Sequence, residues 1–229
     1  MKVTYIDHMG TDLSVANAAR VSFAKKSEGK TDWVSISPDQ SHKVVSMTVP
    51  TVSDVALIKY LAKHNHWTPF GHTAVTLHVK APLFVARQLG KHQVGLVWNE
   101  VSRRYVTDTP EFFVPDMWRQ AAENVKQGSS TEEVVLPMSL AYEAQEYADQ
   151  ALSFYEDLLE AGVCPEQARM ILPQSMYTEW YWTGSIAAFS RVCKLRLDSH
   201  TQRETQEVAQ QISDIIELRF PVSWRALQC

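Results

Sequence analysis

Hydrophobic and polar positions recur along this chain with two periods, and the change from one to the other divides it into elements. Residues 2–7 (KVTYID) alternate as a short strand does. Asp12 or Ser14 is placed to cap a helix through Val15–Arg20. Residues 24–54 are polar and irregular, interrupted by Gly29, Pro38 and Pro50, and read as a surface loop. A helix then opens at Ser53–Asp54, with Val55, Leu57, Ile58, Leu61 and Ala62 on one stripe, and ends near His64–His66. TPFGH (68–72) is a turn. In 73–80, Val75, Leu77 and Val79 take one face and Thr76, His78 and Lys80 the other, as in a half-buried strand. Pro82 suits the first turn of a further helix, which would set Arg87 and Lys91 one turn apart with Gln88 beside them. Gly90 and Gly95 weaken that helix and permit close approach to the backbone. Residues 101–106 read as strand or loop, and 110–115 as an extended connection.

The second half is helical in period. GSSTEE (128–133) is a break before a long helix over 139–160, where Leu140, Ala144, Tyr147, Ala151, Phe154, Tyr155 and Leu158 keep helical spacing. Ala161–Gly162 stops it; Pro165 opens a short helix that Pro173 closes. Residues 176–195 are apolar and aromatic on several sides and read as one buried or interface helix. Asp198–Ser199 would cap a last helix over 201–218, ended by Phe220–Pro221. Strands and helices followed by a helical C-terminal half make an α+β pattern.

Composition narrows the function. A net charge of −4 gives no general pull toward nucleic acid or membrane. Cys164, Cys193 and Cys229 are odd in number and lack CxxC spacing, which argues against a disulfide framework or zinc site and suits a reducing cytoplasm. MKVTYIDHMGTD has no signal-peptide apolar region. No run reaches the roughly 18 apolar residues of a membrane helix.

The candidate chemistry gathers in RQLGKHQVGLVWNEVSRRY (87–105). Arg87, Lys91, Arg103 and Arg104 have Glu100 as their main nearby carboxylate, and guanidinium forks suit phosphate and planar carbonyl groups. The plain alternative is a solvated basic surface; Gln88, Asn99 and Ser102 favour a site, since amides and hydroxyls orient what charge attracts. His64, His66, His72 and His92 do not follow a zinc spacing and suit hydrogen bonding or stacking on an aromatic ligand, or plain packing. Arg169 and Arg196 lie in apolar surroundings and need partners; Asp198 is the local one for Arg196, and an anionic ligand is the sharper alternative for both. No cysteine sits beside a histidine as a nucleophile would, and no GxSxG, GxGxxG or GxxxxGK[ST] occurs.

Five blocks then carry a resemblance: NAARVSF (17–23), HNHWTPFGHTAVTLHVKAPLFVARQ (64–88), NEVSRRY (99–105), QARMILP (167–173) and LRLDSHTQRE (195–204). In this order they resemble the flavin-dependent thymidylate synthases over most of the chain, so residues 1–229 are expected to form one such domain. The resemblance implies a central mixed or antiparallel sheet and a homotetramer whose active sites form where subunits meet. It implies that dUMP receives a one-carbon unit from methylenetetrahydrofolate, that reduced FAD supplies the hydride, and that NADPH re-reduces the flavin. The protein then supplies binding, orientation and electrostatics, with no cysteine nucleophile required. No nucleic-acid or membrane partner is implied, and the location would be cytoplasmic, in a host's cytoplasm if phage-encoded.

Carried over by position, Gln88, Leu89, Gly90, Lys91, Glu100, Val101, Ser102, Arg103, Arg104, Arg169 and Arg196 would contact dUMP. Arg104 and Arg169 would take the phosphate and sugar end, and Arg196, the catalytic candidate, would stabilise negative charge on the pyrimidine. Ser22, His66, Thr68, Lys91, His92, Gln93, Glu100, Ser185, Ala187 and Arg191 would contact FAD, and no metal is expected. The family signature RHRxxSxNExSxRY reads here KHQVGLVWNEVSRRY: Lys91 and Gln93 replace arginines, one extra residue precedes Asn99, and the signature serine has no counterpart at Leu96 or Val97. Gly71 stands where glutamate is usual, and Ser185, Ala187 and Arg191 where Asn, Arg and Asn are common, a variant pattern such as bacteriophage forms have. Arg191 is a candidate to restore the cation missing at Gln93 and Ala187. Two alternatives stand beside this: a flavin- and folate-dependent dUMP hydroxymethylase, and a non-catalytic nucleotide- or RNA-binding module stacking bases on Trp98 and Tyr105, against which the net charge counts.

Overall fold

A computed structural model describes residues 1–36, 43–123 and 128–229; Pro38, part of the expected loop, lies outside the described residues. Along the chain run β1 (Lys2–Met9), α1 (Asp12–Arg20), β2 (Lys30–Ile36), β3 (Lys43–Val49), α2 (Val52–Lys63), β4 (Ala74–Pro82), α3 (Leu83–Leu89) and β5 (Leu96–Glu100). These are followed by β6 (Arg119–Ala121), β7 (Ser129–Glu133), α4 (Met138–Glu160), α5 (Pro165–Ala168), β8 (Tyr177–Gly184), α6 (Ile186–Arg196), α7 (Arg203–Arg219) and α8 (Pro221–Gln228). The expected α+β fold holds, with a main sheet of order β1-β4-β8-β5 that is antiparallel throughout. Its inward residues Val75, Leu77, Val79, Trp180 and Trp182 pack with Phe70, Phe189, Ile212, Ile216 and Trp224 from the helical side in one core. Among the described residues no helix is long and apolar enough to cross a membrane.

Several expectations are corrected. The segment 24–54 is not all loop: β2 and β3 pair antiparallel from Lys30↔Val49 to Ile36↔Lys43. Its valines and threonines favour strand, and cross-strand pairing realises a preference that the polar composition obscured. The single helix expected over 176–195 is strand β8 followed by helix α6. Thr178, Trp180 and Trp182 are buried on one face of β8, while Tyr177, Glu179 and Tyr181 take the other; aromatic residues on both faces hid the period of two. Gly184 ends the strand at a close approach, since a Cβ there would lie 2.5 Å from Leu96 Cδ2 and 2.6 Å from the Gly95 carbonyl. The break at 128–133 contains β7. Helix α3 stops at Leu89, so Lys91 does not continue a helical face from Arg87.

The caps also differ. Thr11, not Asp12 or Ser14, caps α1. Asp12 instead accepts the Val222 and Ser223 amides at 2.9 and 2.8 Å, capping α8, which Pro221 opens. Gln202 rather than Asp198 or Ser199 precedes α7. Thr51 caps α2, with Asp54 answering from the first turn.

Asp54 joins three segments. It accepts Arg20 Nη2 at 2.7 Å, Ser27 Oγ at 2.7 Å and the Thr51 amide at 2.9 Å. Burial pushes its carboxyl up, but the bonds from Thr51, Ser27 and Arg20 outweigh that and bring it to about 2. A lowered carboxyl contributes stability that is complete above its ordinary value of 3.8 and lost as pH falls toward about 2. Asp54→Ala, which leaves Arg20 without its carboxylate, is expected to cost about 3 kcal/mol. Urea unfolding should show that loss at pH 7 and a shrinking difference from the unmodified protein as pH falls through this window; a constant difference would contradict the assignment.

Candidate functional site

Arg196 ends α6 half-buried, beside the segment that follows α3. Its Nε donates to His92 Nε2 at 3.0 Å and its Nη2 to the Gln88 carbonyl at 3.1 Å. Asp198, the expected local partner, bonds His200 at 2.9 Å instead. Among the described residues Arg196 forms no ion pair, and its other N–H groups make no bond. Burial lowers its pKa from the ordinary guanidinium value, which leaves it charged at neutral pH. To accept an Arg196 N–H, His92 must carry its proton on Nδ1 alone. Burial, then Arg196, then Arg191 lower the His92 pKa from 6.5 and favour that neutral form.

His92 also borders a cleft of about 560 Å³, lined with it by Arg87, Lys91, Gln93, Trp98 and Glu100; Arg196 lies behind His92 and does not itself line it. Gln88 itself turns away: its amide bonds Gln202, and its Oε1 accepts Thr205 Oγ1 at 3.1 Å. Glu100 closes β5, and its carboxylate accepts Thr178 Oγ1 at 2.7 Å and Trp98 Nε1 at 3.1 Å. One wall thus offers cations and a neutral imidazole, the other a carboxylate. Such a cleft suits a ligand with carbonyl or anionic oxygens at one end and an O–H or N–H at the other.

Five expected contacts have structural roles in the protomer. Leu89 is buried in the core and Gly90 caps α3. Ser185 caps α6 by accepting the Ala188 amide at 3.2 Å, and Ala187 is buried. Arg191 donates to the carbonyls of Val94 at 2.8 Å and Ala187 at 3.2 Å, pinning the connection into β5, where Gly95 turns with φ +75°.

A second group forms after β5. The Val101 amide bonds the Glu179 carbonyl at 2.9 Å, and Arg103 donates to the Asp108 carbonyl. Arg104 Nε reaches Ser102 Oγ at 3.3 Å, its guanidinium lies 5.0 Å from the Tyr105 ring centre, and its Nη1 is 3.9 Å from Glu166 Oε1. Arg169 is exposed rather than semi-buried, and donates to the Glu166 carbonyl at 3.4 Å. Two arginines therefore converge at Glu166, and such exposed, long contacts leave them available to a stronger anion.

The third group is Ser22, His66 and Thr68, which line a cleft of about 800 Å³ between α1, α2 and the 68–72 turn. Phe23 and Tyr60 are exposed in it, and the His66 ring stands edge-on to Tyr60 at 6.0 Å. Aromatic faces with nearby hydroxyls fit a planar heteroaromatic ring with polar edges. Among the described residues no three His, Cys, Asp or Glu side chains gather as metal ligands.

Four residues that hold these groups escaped the sequence reading: Thr178, Thr205, Gln202 and Glu166. Glu166 was within reach, three residues before Arg169 in a short helix. Thr178 becomes legible only once TEWYWT is read with a period of two.

A family model described as "Thymidylate synthase complementing protein" matches residues 4–222. The chain is 36% identical over 226 residues to the flavin-dependent thymidylate synthase of Thermus thermophilus, covering 99% of this chain and 75% of that one. It is 35% identical over 222 residues to the enzyme of the same name from Thermosipho africanus, covering 96% and 88%. The crystal structure of a UMP/dUMP methylase PolB from Streptomyces cacaoi bound with 5-Br dUMP superposes with a TM-score of 0.77 at 30% identity, covering 98% of this chain and 93% of that one.

The contact of Arg196 with His92 has a direct test. Arg196→Ala should raise the His92 pKa partway toward 6.5, because it removes one of the cations that lower it and leaves burial in place. Imidazole titration followed by NMR measures this; an unmoved pKa would contradict the contact.

Proposed function

Because the chain belongs to the thymidylate synthase complementing protein family, with relatives named flavin-dependent thymidylate synthases, we propose that it converts dUMP to dTMP. Methylenetetrahydrofolate provides the one-carbon unit, and NADPH is the reductant that regenerates FADH2. The observation that carries this reading is Arg196, a half-buried cation bonded to a neutral imidazole and a carbonyl, with no carboxylate bonded to it among the described residues.

Each residue group has a task. Arg196 keeps its charge for the pyrimidine, where it stabilises negative charge as the ring carbon C5 becomes nucleophilic; fixed charge in a partly desolvated site is most effective there. Lys91 and Glu100 orient the nucleotide across the cleft. Arg104 and Arg169 exchange their contacts with Glu166 for the phosphate, which offers stronger charge-assisted bonds. The aromatic cleft around Ser22, His66 and Thr68 fits an isoalloxazine ring, and His92, Gln93 and Arg191 lie on the other flavin-side surface. Bound there, the reduced flavin supplies the hydride. No cysteine is assigned a part: burial pushes the Cys193 thiol up to about 12, and the exposed Cys164 and Cys229 line none of the clefts described above.

The cleft around Ser22, His66 and Thr68 shares no lining residue with the cleft of Lys91, His92 and Glu100, which supports a homotetramer in which each site draws on more than one subunit. Helix α4 supports the same reading, since Leu140, Tyr142, Tyr147 and Phe154 are all exposed on it. The whole chain acts as one domain in this account, and its place is the cytoplasm. No observation favours a hydroxymethylated product or a binding module without turnover.

Incubating FAD-loaded protein with dUMP, methylenetetrahydrofolate and NADPH should give dTMP by mass spectrometry; failure to take up FAD, or 5-hydroxymethyl-dUMP as the product, would overturn the reading. Arg196→Ala should lower turnover by about 100-fold or more while FAD still binds. Arg169→Ala should raise the dUMP requirement more than it lowers the maximal rate. Co-expressing these two variants asks whether sites are shared: at a dUMP concentration too low to support Arg169→Ala alone, mixed oligomers regain activity if the two arginines of one site come from different subunits, and do not if they come from one.

A further inference from the structure

Glu100 is solvent-exposed, yet both of its carboxylate oxygens are held by rigid neighbours. Oε1 accepts from Thr178, which is 3% exposed and whose hydroxyl bonds Glu100. A buried hydroxyl needs an acceptor, so Thr178 has a stake in one position of that carboxylate. Oε2 accepts from the Trp98 indole N–H, a group that can only donate. The Trp98 ring is itself fixed, stacked on buried Trp180 at 4.2 Å and 17° and edge-on to buried Trp182 at 5.4 Å. Trp98 also belongs to the stretch that carries this chain's extra residue before Asn99.

We propose that Thr178 and Trp98 are positioning residues, which lock the Glu100 carboxylate in the wall between two clefts so that its remaining lone pairs face an O–H or N–H of the bound nucleotide. Glu100 lines the cleft with Lys91 and His92 and also the one with His78 and Arg103. An unheld glutamate would sample both and lose rotamer freedom on binding; the clamp removes that loss in advance. An ionised carboxylate only accepts hydrogen bonds, so the group it meets is a hydroxyl or ring N–H and not the phosphate. The phosphate therefore lies away from Glu100, toward cations. This inference rests on the nucleotide substrate proposed above.

Two measurements test it. On the FAD-loaded enzyme, Thr178→Val and Trp98→Phe should each weaken dUMP binding by about tenfold, as expected for a lost bond to a charged group. Thr178→Ser should restore affinity, and Thr178→Val should add nothing in a Glu100→Ala background, which has no acceptor for the hydroxyl. Equal losses with and without Glu100, or no loss with the folding midpoint unchanged, would overturn the clamp. The Trp98 indole N–H resonance, assigned by its absence in Trp98→Phe, reads the clamp without ligand. Glu100→Gln and Thr178→Val should both shift it and speed its exchange with water; a resonance that neither variant moves rejects the geometry. If it moves but the unmodified enzyme takes up no dUMP, the substrate reading fails, and the role of the clamp fails with it.

Discussion

Strand β8 is hydrogen-bonded along both edges, to β4 from Val75↔Gly184 to Pro82↔Tyr177 and to β5 from Leu96↔Gly184 to Glu100↔Trp180. That double pairing leaves no freedom of register. A slip of one residue would turn Trp180 and Trp182 out of the core and drive Glu179 and Tyr181 into it. Two consequences reach the site. The end of β5 is delivered against Trp180, which sets Glu100 beside Thr178. The strand also stops at Gly184, where a side chain would collide with Leu96, and the Ser185 cap starts the helix that carries Arg196. The carboxylate of the cleft, and the guanidinium that bonds its His92, are therefore placed by one strand and its continuation.

The sequence made some of this plain and concealed the rest for physical reasons. Strand β4 was legible because Val75, Leu77 and Val79 alternate with Thr76, His78 and Lys80 around one buried face. Strand β8 was not, because Tyr177 and Tyr181 occupy its half-exposed face as Trp180 and Trp182 occupy its buried one, and hydropathy alone cannot distinguish them. The hairpin β2–β3 was lost for another reason: the neighbouring apolar pairs Trp33–Val34 and Val44–Val45 break the alternation that a strand would show. At the site, the five blocks supplied candidate residues but not which of their atoms are engaged. Gln88 is the clearest case: its amide is committed to Gln202 and Thr205, partners more than a hundred positions away, and its backbone carbonyl meets Arg196.

Separation of the residue groups follows from the same architecture. Helices α1 and α2 bound the aromatic cleft, the residues after α3 bound the basic one, and the segment after β5 carries Arg104 toward Glu166 and Arg169. The aromatic cleft shares no lining residue with the basic one. Helix α4 leaves Leu140, Tyr142, Tyr147 and Phe154 exposed in the single copy.

Comparison of the arginines within this one chain gives the electrostatic argument its force. Arg20 is matched to the fully buried Asp54 at 2.7 Å, and Arg119 to Glu204 through two bonds of 2.8 and 3.0 Å. Both follow the usual rule that a guanidinium drawn out of water is neutralised by a carboxylate. Arg196 is also half-buried, yet it is held by a ring nitrogen and a carbonyl, which fix its direction without cancelling its charge. The fold thus supplies carboxylates to the arginines that brace its helices and gives Arg196 neutral partners. Orientation without neutralisation is what a site requires when negative charge is to develop on a bound ring. The neutral tautomer of His92 is the condition for it, since a protonated imidazole would lose the acceptor nitrogen and set a second cation against the first.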